Sequence, residues 1–194
     1  DLISFNTAVS VCGGGMQWEP AVQLLLALQE HSLEPDVVGC NAALSACAGG
    51  CWVSALQLLG WARCLRTAPD TVSHNAASTA CGAGRAWGAS LFLMREMCSR
   101  EVDVDTITAN AAMSSCDKGQ QWAWVFQLLA EMGAHKSSEQ TSRGPAQDEV
   151  SLGTATSACA RARHWAKALQ LLKEARSQAA LSFGATVRNA AISA

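Results

Sequence analysis

The sequence predicts an all-α protein, a solenoid of helix-turn-helix repeats about 35 residues long. Three observations carry this. A pattern opening on Asp and centred on Asn recurs along the chain, from Asp1, Asp36, Asp70, Asp105 and Asp148, with Asn6, Asn41, Asn75, Asn110 and Asn189 in register and Gly153 in the fifth place. The spacings are 35, 34, 35, 43 and 36 residues, a period that marks stacked repeats. The first four copies are followed by Gly, and all five by a Trp that opens an apolar stretch of helical period. The units run 1–35, 36–69, 70–104, 105–147 with an inserted loop at 133–147, 148–183, and a partial unit at 184–194. They form a single repeat array in which each buries its apolar face against its neighbours.

The first helix of each unit starts after the Asp and runs to about the Cys at position 12, 47, 81, 116 or 159. Asp at that place caps free amides and sits at the positive end of the helix dipole. Small residues fill this helix, as in Ala42-Ala43, Ala76-Ala77, Ala111-Ala112 and Ala190-Ala191. They favour helix and let neighbouring helices approach closely. The recurring Cys reads as a small buried apolar residue, and nine Cys without paired spacing point to a reducing compartment.

Glycines follow: Gly13 to Gly15, Gly49-Gly50, Gly82 with Gly84, and Gly119. They are expected to supply the left-handed residue that ends a helix. The fifth unit has Arg161-Ala162-Arg163 there, which predicts a different turn or a weaker stop.

The second helix opens at Trp18, Trp52, Trp87, Trp122 or Trp165. A small or branched residue three places on and a Leu three further share its face: Ala21 and Leu24, Ala55 and Leu58, Ser90 and Leu93, Val125 and Leu128, Ala168 and Leu171. The Trp reads as a wedge buried between units, with an exposed stacking platform for nucleic acid as the alternative. Polar connectors ending at Pro35 and Pro69 stop the helix before the next Asp. The insertion from Gly133 to Gln147 reads as an irregular, exposed surface loop, a tolerated insertion rather than a regulatory one.

The pattern Asp-x-(Val/Ile)-x-x-Asn-Ala-Ala, with a Cys six residues past the Asn, then Gly, Trp and an Ala-x-x-Leu-Leu helix, resembles the pentatricopeptide repeat family over nearly the whole chain. The Trp-Leu-Gly-Tyr pattern of the neighbouring tetratricopeptide repeat is absent from the first helix. The resemblance implies a right-handed superhelix of antiparallel hairpins that binds single-stranded RNA, about one base per unit. It implies that bases are read by pairs: Asn6 with Asp36, Asn41 with Asp70, Asn75 with Asp105, and Asn110 with Asp148. In the family this pairing favours uracil, an amide donating and accepting toward a pyrimidine edge. Ile3, Val38, Val72, Ile107 and Val150 would sandwich the bases, and Lys118 and Arg161 match a phosphate-contacting position. Gly153 and Gly184 leave the fifth unit a blank. An organellar location, in mitochondrion or plastid, is implied by the same resemblance. Asn near a helix start and Asp at its cap also serve local hydrogen bonding alone, so the pairs stand either as a code or as repeat consensus.

Composition limits the other classes. Hydrophobic content is 49% and charge 15%, which argues against disorder. No apolar run reaches the roughly 18 residues of a membrane helix, and no targeting leader opens the chain. The chain begins and ends inside a repeat, which reads as a piece of a longer array. The formal net charge is −2, and residues 1–62 hold no Lys or Arg. RNA affinity through phosphate neutralisation is therefore expected to be weak. A protein-interaction scaffold is the alternative function, and protein partners are expected beside RNA. Cys40, Cys47, Cys51, His74 and Cys81 lack zinc spacing, so no metal is expected. No P-loop, nucleophile elbow or paired-carboxylate motif occurs, which predicts neither a cofactor nor an enzymatic role.

Overall fold

The computed structural model describes residues 2–30, 35–64, 67–100, 102–135, 145, 147–164, 166, 167, 169–171 and 173. Among these residues every regular element is helical. They fall into two compact bodies, Asp1–Val102 and Asp103–Ala194.

The N-terminal body holds three hairpins: α1 (Leu2–Gly14) with α2 (Trp18–Glu30), α3 (Val37–Ala46) with α4 (Trp52–Cys64), and α5 (Thr71–Ala83) with α6 (Trp87–Ser99). A short 3-10 turn, Cys47–Gly49, follows α3. First helices pack on first helices, α1 on α3 and α3 on α5, while each also packs on its own partner. That two-sided packing explains why the first helices carry no one-sided apolar stripe. The core joins Val9, Leu25, Leu28, Leu44, Leu59 and Leu93, all buried. The C-terminal body repeats the arrangement with α7 (Thr106–Lys118), α8 (Trp122–His135) and α9 (Glu149–Ala162). There α7 and α8 each pack on α9, and Met113, Val125 and Met132 are buried. Among the described residues no helix is long and apolar enough to cross a membrane.

Four expectations need correction. Glycine is not the usual left-handed residue at the helix ends. Gly50 has φ of +115°, but elsewhere the residues are Met16, Arg85, Gln120 and Arg163, with φ between 53° and 59°. What holds them is a backbone bond that recurs: the carbonyl of Cys12, Cys81, Cys116 or Cys159 accepts from the N–H five residues on, at 3.0, 2.9, 2.8 and 2.9 Å. This is the six-to-one closure of a Schellman end, and it offsets the ~1–2 kcal/mol that a left-handed non-glycine residue costs. The fifth unit, with Arg163, closes the same way, so its turn is neither different nor weaker.

The glycines are needed instead where backbones meet. A Cβ on Gly13 would lie 2.9 Å from the Ala42 carbonyl oxygen, and one on Gly84 would run into the Trp52 ring. The second correction concerns the tryptophans. Trp18, Trp52, Trp87 and Trp122 are only half-buried. Trp18 and Trp52 pack, partly buried, against the core cluster. Trp165 lies outside the described residues. Third, α8 continues to His135, so Gly133 is helical rather than the first residue of a loop. Fourth, the far end of the insertion is anchored, because Gln147 donates to the Leu129 carbonyl at 2.8 Å and is half-buried. Residues 136–144 and 146 lie outside the described residues, as do Gly184 and the partial sixth unit.

The Cys position is core in four units: Cys47, Cys81, Cys116 and Cys159 are fully buried, and Cys12 is half-buried. Burial pushes the thiols of Cys47, Cys81 and Cys116 up to about 11. They stay protonated and unreactive at neutral pH.

Candidate functional site

The junctions between units are built on the recurring Asp. Asp36, Asp70, Asp105 and Asp148 all have extended backbone and all cap the helix that follows. Each carboxylate accepts from the N–H three residues on, at Gly39, Ser73, Thr108 or Ser151, always at 2.8 Å. Asp70 and Asp148 form capping boxes with Ser73 and Ser151.

The same carboxylates hold the Asn of the preceding unit. Asn6 Nδ2 donates to both oxygens of Asp36 at 3.0 Å. Asn41 Nδ2 reaches Asp70 at 3.3 and 3.5 Å. Asn110 Nδ2 reaches Asp148 at 3.2 and 3.0 Å. The predicted pairs Asn6 with Asp36, Asn41 with Asp70 and Asn110 with Asp148 are thus in contact. In the fourth, Asn75 is half-buried on α5 of the N-terminal body and Asp105 caps α7 of the C-terminal body.

A carboxylate only accepts, so the amide must present its nitrogen to Asp and keep Oδ1 for something else. At Asn41 that oxygen accepts from Ser73 Oγ in a short bond. At Asn6 and Asn110 it is buried without a partner. Gly39 makes room for the Asn6 oxygen, since a Cβ there would lie 2.6 Å from it. Burial pushes the Asp70 carboxyl up, but hydrogen bonds from the Ser73 N–H and hydroxyl, the Asn41 amide and its own N–H outweigh this and leave it below the usual 3.8.

One helical turn before each of these positions stands an exposed β-branched residue. Ile3, Val38, Val72, Ile107 and Val150 are 76, 64, 56, 62 and 59% exposed. Each lies three residues before Asn6, Asn41, Asn75, Asn110 or Gly153, a spacing that puts the two on one helix face.

At the fifth unit, where Gly153 carries no side chain, an open cleft of about 390 Å³ lies between α7 and α9, bordered by Ser114, Asp117, Val150 and Gly153. Asp117 is a residue that sequence reasoning missed. It is 7% exposed, and its Oδ2 meets Arg161 at 3.3 Å and Ser157 Oγ at 3.5 Å. Burial raises its pKa, partly offset by Arg161, Ser157 and Lys118. Lys118 is exposed at the end of α7, whereas Arg161, also exposed, is partly committed to Asp117. Nothing in the sequence marks Asp117 out, because it stands one residue before a Lys at a polar helix end. Ser73 and Ser151 were legible in principle, as the third residue after a capping Asp. Among the described residues no three His, Cys, Asp or Glu side chains come together as a metal site.

The fold is similar to solved pentatricopeptide repeat (PPR) structures. The PPR domain of Arabidopsis thaliana protein-only RNase P 1 (PRORP1), solved in complex with tRNA, matches with a TM-score of 0.75 and 9% identity, over 94% of this chain and 92% of that one. PPR10 from maize matches with a TM-score of 0.74 and 17% identity, over 98% of this chain and 26% of that one. PPR10 in complex with an 18-nt psaJ RNA element gives 0.75 and 21%, with 98% and 27% covered, so the chain spans about a quarter of PPR10. No protein-family model and no curated protein matches the sequence. At these identities the likeness establishes the fold.

Proposed function

Starting from a chain that folds as a PPR-like helical repeat array, we propose that it binds single-stranded RNA along its row of Asn–Asp junctions. One base would occupy each unit, uridine would be preferred, and the array would act in RNA processing, stability or translation in an organelle. The role is one of binding rather than catalysis. The observation that carries the reading is the exposed Val or Ile three residues before the Asn position. Ile3, Val38, Val72, Ile107 and Val150 are all more than half exposed. Core packing does not require them there, and a solvated helix face selects polar residues. A flat base uses both parts of the module, resting its face on the aliphatic side chain and presenting its edge to the amide. The two similar folds solved with RNA, PRORP1 with tRNA and PPR10 with an 18-nt RNA element, add support.

A second reading, a protein-interaction scaffold, is favoured by one feature. Trp18, Val22 and Leu26 of α2 and Trp61 of α4 line an apolar cleft of about 170 Å³ in the second-helix layer. Homopolymer binding at low and moderate salt separates the two. Tighter binding of oligo(U) than of oligo(A) or oligo(C) is expected. The salt slope should be shallow, since few phosphates are neutralised by a chain of net charge −2. Absence of any preference at low salt makes the scaffold the better reading.

A further inference from the structure

Away from the Asn–Asp row, the N-terminal body has a cleft of about 330 Å³ bordered by Arg63 of α4, Thr67 and Pro69 of the connector, His74 of α5 and Arg100 beyond α6. Two nitrogens of the residues that line it are buried without a hydrogen-bond partner: Arg63 Nε and His74 Nε2. His74 itself is 1% exposed. An unpartnered buried polar atom costs ~1–3 kcal/mol, more for a charged group, so such atoms call for an explanation.

Their chemistry is defined. His74 Nδ1 lies 2.8 Å from the Asp70 carbonyl oxygen. A carbonyl only accepts, so Nδ1 carries the hydrogen, and Nε2 in the neutral ring is an acceptor. Arg63 is fixed by a two-point pair with Glu96, at 2.7 and 2.8 Å, which leaves its Nε–H free to donate. Arg100 uses its own Nε on Glu96 at 2.9 Å and is half-exposed. Among the described residues at the cleft, two guanidinium groups stand against the one carboxylate of Glu96. This lining fits an anion that accepts from the two arginines and shares a proton with an imidazole.

We propose that this cleft binds a phosphate monoester. A monoester has a second pKa near 6 and three terminal oxygens. It accepts from Arg63 and Arg100 while one proton lies between an oxygen and His74 Nε2. Sulfate and the internal phosphodiesters of RNA have no proton to share near neutral pH, so they satisfy the arginines and leave Nε2 unpartnered. The group belongs either to a free nucleotide or to the terminal phosphate of an RNA. This inference does not rest on the base-reading proposal.

The test is calorimetric titration with inorganic phosphate, uridine 5′-monophosphate, and 5′-phosphorylated and 5′-hydroxyl oligo(U), with the His74 and His164 ring resonances followed by NMR. Phosphate should bind and move the His74 resonance while leaving His164 in place, and sulfate at equal ionic strength should bind more weakly. Arg100→Ala, an exposed change that spares the fold, should weaken phosphate binding about tenfold, the loss of one charge-assisted hydrogen bond. Arg95→Ala, outside the cleft, should leave it unchanged. If 5′-phosphorylated oligo(U) binds tighter than the 5′-hydroxyl form, and only while Arg100 is present, the RNA terminus is the source. If uridine 5′-monophosphate binds and the oligonucleotides do not differ, it is the free nucleotide. The proposal is overturned if phosphate leaves His74 unmoved, if sulfate acts equally, or if Arg100→Ala binds as well as the parent.

Discussion

The first and second junctions have the same two residues and differ in what lies behind them. Asn6 and Asn41 both donate to a capping Asp. Behind Asn41 stands Ser73, whose hydroxyl donates to the amide oxygen. Behind Asn6 stands Gly39, and the oxygen is left unpartnered in the space a side chain would fill. The first pair is closer, at 3.0 Å, and the second longer, at 3.3 and 3.5 Å and exposed. An Asn–Asp pair is therefore a structural joint between one unit and the next. At Asn110 a serine also stands third, but the Ser151 hydroxyl donates to the Asp148 carbonyl and the amide oxygen stays unpartnered, so it is the direction of the hydroxyl that decides.

The largest expected effect comes from removing the cap. Asp36→Ala takes away a helix cap of ~1 kcal/mol and the charge-assisted bond to Asn6, together about 2 kcal/mol, while Asp70→Ala, whose bonds to Asn41 are long and exposed, loses little beyond the cap, each read as a fall in the unfolding free energy. Equal stability of variant and parent at either site contradicts the double role. Next is Ser73→Ala, which removes the buried hydroxyl that serves both Asn41 and the capping box. It should cost about 1 kcal/mol. It should also leave Asn41 Oδ1 unpartnered, as Asn6 Oδ1 is, which the Asn41 side-chain amide resonance reports.

The pH dependence distinguishes two carboxylates. The folded-state pKa of Asp70 is lowered. Its contribution is present above the unfolded value of about 3.9 and is lost as pH falls through the folded value. The folded-state pKa of Asp117 is raised. It binds its proton more tightly folded than unfolded, so stability declines as pH rises from about 3.9 through the folded value. Asp70→Asn should flatten the acid limb of the stability curve, and Asp117→Asn should remove the decline. The same change from both variants would show the signs to be wrong. The smallest effect is expected from Gly39→Ala. Alanine gains up to about 1 kcal/mol of helix propensity over Gly, while its Cβ, 2.6 Å from Asn6 Oδ1, displaces that amide. Stability should change little while the Asn6 amide resonance moves. A gain of the full propensity difference with Asn6 unmoved contradicts the close contact.

Much of this was legible in the sequence, because a repeat reports each position several times. The Asp–x–x–Ser spacing at Asp70 and Asp148 reads as a cap in one dimension, and a cap needs no tertiary information. The contact of Asn6, Asn41 and Asn110 with the next Asp followed from period and resemblance together. What the sequence hid was set by three-dimensional fit. Gly13 and Gly84 look like helix stops, yet they are small because Ala42 and Trp52 lie against them. Arg163 looks like a poor terminator, yet the Cys159 carbonyl holds it left-handed. Trp18 and Trp52 look like core, yet they are only half-buried where they pack against it. Asp117 was invisible because its partners, Ser157 and Arg161, stand 40 and 44 residues away.

The central claim is that the joint also reads a base, and Asn41 is where the two roles separate best, since its bonds to Asp70 are long and exposed. Oligo(U) affinity and melting temperature are measured together for the parent and Asn41→Ala. The account predicts that the parent prefers oligo(U) and that the variant loses on the order of 1–3 kcal/mol in binding, with little change in melting temperature. A lower melting temperature with oligo(U) affinity unchanged would contradict it and leave the pairs as repeat consensus.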